Sequence, residues 1–150
     1  MKRRYIFIGV LFILCLFVFI YQQFAGGHTI LAENKSFSKQ QGDFILHMSV
    51  IQVEEGIEVR QSIQYVGEEP VEIKHQSPLV SVSLKDKKPT FTGSMVTKKL
   101  SKGNVYYPQD PVVITEIDNI EGSSLYVNAR LFTDTEERIM IEHVEELEFN

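Results

Sequence analysis

Two hydrophobic patterns divide this chain. From Tyr5 to Tyr21 seventeen residues pass without a charge, and thirteen of the fifteen from Ile6 to Ile20 are Ile, Leu, Phe or Val. From residue 43 onward, short stretches alternate apolar and polar positions, the two-residue period of half-buried strands. The first pattern predicts a transmembrane helix over residues 5–24. Each such apolar residue favours insertion by roughly 0.3–0.6 kcal/mol, about 5 kcal/mol for the run. At ~1.5 Å per residue, residues 5–25 make about 31 Å of helix, matching the ~30 Å hydrocarbon core. Tyr5 and Tyr21 fall at the interfaces, where amphipathic rings belong.

The second pattern predicts strands. Residues 25–42, AGGHTILAENKSFSKQQG, keep no sustained period and read as a tether, with Ile30, Leu31 and Phe37 able to pin part of it to the domain beyond. In that extracytoplasmic domain, residues 43–150, Phe44, Leu46, Met48 and Val50 alternate with Ile45, His47, Ser49 and Ile51, and Glu54-Glu55-Gly56 turns the chain. Ile57 to Tyr65 is the cleanest amphipathic strand, turned back by Gly67-Glu68-Glu69-Pro70, where Gly67 is free to take positive φ. Further strands are expected at Val71–His75, Leu79–Leu84, Phe91–Leu100, Val105–Tyr107, Val112–Ile117 and Leu125–Leu131, each bounded by Pro, Gly, Asn or Lys-rich turns. Arg138–Phe149 is ambiguous. Thr133 and Glu136 fit a capping box, and Ile141, Val144 and Leu147 fit one helix face. Ile139/Ile141 and Leu147/Phe149 instead keep period two, with a disagreement across Val144–Glu146 that one bulge residue reconciles. A bulged strand is the expectation. Eight or nine short strands at this spacing predict an all-β fold, an antiparallel β-sandwich preceded by one transmembrane helix.

SIQYVGEEPVEIKHQSPLVSVSLKD, Ser62 to Asp86, resembles the central hairpin of bacterial immunoglobulin-like domains of the bacillar intracellular proteinase inhibitor type. A strand ends in a Gly-acidic-x-Pro turn, an alternating strand comes next, then a short break and another strand. The sequence departs from that pattern at Leu79-Val80-Ser81-Val82, where the family usually carries an aromatic–Asp pair. The resemblance implies the sandwich, and with it protease inhibition from an exposed turn, Lys85–Lys88 or Lys98–Asn104.

Charge orients the chain. Lys2, Arg3 and Arg4 precede the apolar run, so the positive-inside rule holds residues 1–4 in the cytoplasm and places the domain outside a cell membrane, in a bacterial envelope by preference. A cleaved signal peptide is the competing reading. Its apolar core normally runs roughly 7–15 residues to a small-x-small site, and here Gln22 and Phe24 stand where small residues are wanted. Cys15 follows Leu14, too large for lipoprotein processing, and reads as a helix residue. Net charge is −5; without the +3 of the basic end the remainder carries −8, which excludes a nucleic-acid partner. The remainder has no cysteine, so burial and hydrogen bonds must hold it without disulfides.

Within that acidic domain the bases cluster. Lys85, Lys87, Lys88, Lys98, Lys99 and Lys102 form a candidate cationic surface for lipid headgroups or an anionic wall polymer. Tyr106 and Tyr107, ahead of Pro108, are a candidate aromatic contact for a protein partner or glycan. No cofactor, metal or catalytic residue is predicted: no two of His28, His47, His75 and His143 share a helical or turn spacing, and no Gly-x-Ser-x-Gly elbow occurs. The expected function is a single-pass membrane protein presenting a non-catalytic sandwich to an envelope partner. The alternatives are an envelope enzyme or metal-binding module built from His47, His75, Asp110 and Asp118, and a protease inhibitor.

Overall fold

The clean alternation from Ile57 to Tyr65 becomes the strand around which one sheet is built. The structure, a computed structural model, describes residues 30–84, 88–115, 117 and 123–150. The basic end and the helix expected at 5–24 lie outside them; among the described residues no helix is long and apolar enough to cross a membrane. Ten strands are described: β1 (Lys35–Gln41), β2 (Phe44–Val53), β3 (Gly56–Tyr65), β4 (Val71–Gln76), β5 (Val80–Ser83), β6 (Met95–Leu100), β7 (Val105–Tyr106), β8 (Val112–Ile114), β9 (Ser123–Thr133) and β10 (Arg138–Leu147). They form two antiparallel sheets in a sandwich-like arrangement.

Sheet one runs β1-β2-β3, with β7 and β8 sharing the far edge of β3; sheet two runs β10-β9-β4-β6, with β5 also on β9. Period two decides what meets between them. Leu46, Val50, Ile57, Val59 and Ile63 from sheet one, and Ile73, Leu125, Val127, Leu131 and Ile141 from sheet two, are at most 2% exposed. Each such side chain contributes roughly 1.5–3 kcal/mol by leaving water. The β2–β3 hairpin closes without a slip, from Phe44↔Tyr65 to Val53↔Gly56. Gly56 ends it with φ 144°, and a Cβ there would lie 2.2 Å from the Ile114 carbonyl oxygen of β8. Only glycine fits that position.

The expected break at Gln76-Ser77-Pro78 is present, with a cis Ser77-Pro78 bond. Ile73 pairs with Thr133 of β9, and Val80 with Ala129, so three extra residues bow out between β4 and β5 along one partner strand. The chain then changes sheets at the Ser101–Asn104 turn, from β6 to β7, and again between β8 and β9.

Three expectations are corrected. Over Lys35–Gln41 the tether is a strand, paired along its length with β2 from Lys35↔Val50 to Gln41↔Phe44. Its apolar signal is faint because it is an edge strand in which Phe37 is the one side chain packed on the core. Just before it Leu31, buried, bridges Phe149, and backbone bonds join Ile30 to Asn150 and Ala32 to Glu148, closing one seam between the sheets. Arg138–Leu147 is a strand with no bulge, paired residue for residue with β9. The inward positions His143 and Glu145 need no register change, because β1 supplies Phe37 and Lys35 as their partners, while Val144 faces solvent at 51% exposure. Finally, Gly67 does not take positive φ. A Cβ there would sit 2.2 Å from the Tyr65 hydroxyl, which donates to the Glu69 carbonyl at 2.6 Å. Glycine is needed there for room.

Candidate functional site

The clustered lysines of the sequence separate in space. Lys85 and Lys87 lie outside the described residues, and Lys88 is exposed beside Ser83 and Thr90. Lys98 and Lys99 are neighbours on β6 and so leave opposite faces of sheet two. Lys98 reaches over the Tyr106 ring, 5.6 Å from its centre, while Lys99 stands with Glu72 and Asp134. Lys102, on the turn after β6, pairs with Glu68. Lys98 thus meets an aromatic ring and Lys102 a carboxylate, while Lys99 leaves the face opposite to Lys98.

The two tyrosines also part, as successive strand residues must. Tyr106 turns inward and is half-buried. Its hydroxyl meets His75 Nε2 at 3.0 Å, tying β7 of sheet one to β4 of sheet two. His75 is fully buried, and its Nδ1 donates to the Gln76 carbonyl at 2.8 Å, which leaves Nε2 to accept from Tyr106. Burial lowers the His75 pKa, opposed in part by the Gln76 bond, and burial raises that of Tyr106. Tyr107 turns outward and is 73% exposed.

Tyr107 stands at the rim of a groove of about 650 Å³ on the solvent face of sheet one. Strand register builds its floor. Ser36 pairs with Ser49, which pairs with Arg60; one row along, Ser38 pairs with His47, which pairs with Ser62. His47 is clamped in its row: its Nε2 donates to Gln64 Oε1 at 2.9 Å, and its Nδ1 accepts from the Ser38 hydroxyl at 2.7 Å. Arg60 is paired with Glu58 at 2.5 Å. Ser62 is 8% exposed, and its hydroxyl makes no hydrogen bond to another described residue. Behind this face Gln61 points into the core, where its Nε2 donates to the Asp110 carbonyl at 2.9 Å and its Oε1 is unpartnered.

A serine hydroxyl bonded to imidazole is the opening step of base-activated nucleophilic attack. Here the third group is a neutral amide, Gln64, which does not stabilise an imidazolium as a carboxylate does. The floor therefore offers hydrogen-bond donors and acceptors far more readily than a nucleophile. Among the described residues no three His, Cys, Asp or Glu side chains converge to hold a metal. His47 and His75 belong to different sheets and do not meet, and of the oxygen donors in the loop after Tyr107, Asp118, Asn119 and Glu121 lie outside the described residues.

Of this groove only Tyr107 and His47 stand out in the sequence. The serines are unremarkable singly; they converge because β1, β2 and β3 align in one register. Comparison with known protein families and with curated proteins finds no match to the chain.

Proposed function

We propose that the chain is a single-pass membrane protein whose sandwich is a non-catalytic, immunoglobulin-like binding domain on the outer side of the bilayer. The groove on sheet one carries the binding reading: a rigid three-strand floor of hydroxyl, imidazole and amide groups beneath an exposed aromatic ring. Such sites, mostly fixed before the ligand arrives, suit recognition.

The immunoglobulin-like class is supported by strand order. Taking β2, β3, β4–β5, β6, β7–β8, β9 and β10 as successive strands, the first, second and fifth share one sheet and the others share the second. Immunoglobulin-type sandwiches likewise separate A, B and E from C, F and G; the fourth strand, β6, departs from the constant-type arrangement by lying with the second sheet. The anchor rests on the uncharged run after Lys2, Arg3 and Arg4.

Two measurements test the proposal. Crosslinking and capture with the full chain in its own membranes is expected to return an envelope partner that is lost in Tyr107→Ala; an empty capture removes the binding function. Protease added outside intact cells is expected to digest the chain beyond about residue 26 and leave a membrane-held stub that retains Met1. A mature chain starting near Gly26 or Glu33 removes the anchor. Hydrolytic turnover abolished by Ser38→Ala would instead place the protein among enzymes.

A further inference from the structure

We infer that the groove on sheet one binds a neutral oligosaccharide strand, with the Tyr107 ring as its platform and the Ser62, Ser38 and His47 row as its hydrogen-bonding floor. The inference rests on the binding reading above and adds the class of ligand.

Charge makes the first selection. Arg60 is the one cation among the groove's lining residues, and its guanidinium already faces Glu58. An anionic polymer finds no free positive group there, whereas a neutral one has no charge to leave unpaired. The backbone makes the second. Over the floor of the groove the backbone groups of β2, and those on the facing sides of β1 and β3, are spent on one another, so an extended peptide cannot add itself as a strand there. Whatever lies in the groove is held by side chains alone.

Those side chains match a sugar's own surface. A pyranose presents an apolar C–H face and a rim of hydroxyls, each able to donate and accept. Tyr107, 73% exposed, offers an apolar face with few neighbours of its own. Ser62 supplies the complementary polar signal. Its hydroxyl, in a residue 8% exposed and turned toward the groove, lacks a protein partner among the described residues. A ligand hydroxyl placed against it gains a hydrogen bond that the protein itself does not make. The Ser38–His47–Gln64 relay holds hydroxyl, imidazole and amide groups in place beside it. A volume of about 650 Å³ lies within the ~300–1,000 Å³ of small-ligand sites.

The test is calorimetric titration of the full chain in detergent micelles with a panel of neutral tetrasaccharides, cellotetraose and chitotetraose among them, and with inorganic polyphosphate as the anionic probe. At least one neutral tetrasaccharide is expected to bind with an affinity that changes little between low and high salt. Tyr107→Ala is expected to weaken it roughly tenfold and Ser62→Ala several-fold. Tyr107→Phe keeps the platform and retains most of the affinity, and Lys98→Gln leaves it unchanged. Unaltered far-ultraviolet dichroism shows that each variant is folded. Absence of binding across the neutral panel, or binding indifferent to Tyr107→Ala, overturns the inference. If polyphosphate alone binds, and is lost in Lys98→Gln with Lys99→Gln, the glycan inference falls while the binding function stands. Empty titrations together with an empty membrane capture remove both.

Discussion

Gly67 and His75 show how much rests on single residues here. A methyl group at Gly67 displaces the Tyr65 hydroxyl from the Glu69 carbonyl, so Gly67→Ala is expected to cost about 1–3 kcal/mol of stability by urea unfolding. His75 makes stability depend on pH. Its folded-state pKa is lowered by burial, so below the unfolded value of roughly 6.5 the unfolded chain takes up a proton that the folded chain refuses. Stability therefore falls as pH drops from about 6.5 toward the depressed folded pKa. The thermal midpoint of the wild type should decline more steeply over this window than that of His75→Gln. Glu145 acts lower on the scale. Its pKa is depressed, first by the His143 bond and also by Lys35, so its contribution is full above the ordinary Glu value of roughly 4.3 and is lost below it. None of this is visible in the sequence, where Gly67 reads as a positive-φ turn glycine and His75 as one more inward strand position. Burial and partner are properties of the packed pair, and a residue's neighbours along the chain do not name them.

The strands divide by how many faces they bury. β2, β3 and β9 announce themselves because every second residue enters the core, and their alternation is read directly. β1 hides because an edge strand with solvent on one side needs only Phe37 inside. It is nonetheless structural. Phe37 stacks on His143 with ring centres 4.4 Å apart, and Phe37→Ala is expected to cost about 2 kcal/mol, less than for a fully buried ring. Amide exchange should show alternate protection along Lys35–Gln41, as pairing with β2 requires; uniformly fast exchange would return the segment to a tether. β10 teaches the converse. Val144 outside and His143 inside contradict a simple apolar stripe, and a bulge is the sequence's only means of reconciling them. The true reconciliation comes from another strand, since Lys35 and Phe37 make polar inward positions acceptable.

Across the whole molecule, two packed antiparallel sheets are legible from strand count and turn chemistry, and the groove is not. Its rows run across strands, so it exists only once register is known. The seam at Ile30–Asn150 has a further consequence. The first and last described residues lie in hydrogen-bonding contact, so the sandwich has no intrinsic start, and circular permutation is open to it. Joining Asn150 to Ile30 through a short linker and opening the chain at the Gly42-Asp43 turn should give a folded domain with the dichroism of the parent. Both ends would then emerge from the opposite pole of the sandwich. Attaching residues 1–29 before Asp43 would invert the domain with respect to whatever holds it, leaving every strand pair in place. The pole from which the ends emerge is therefore separable by experiment from the fold itself.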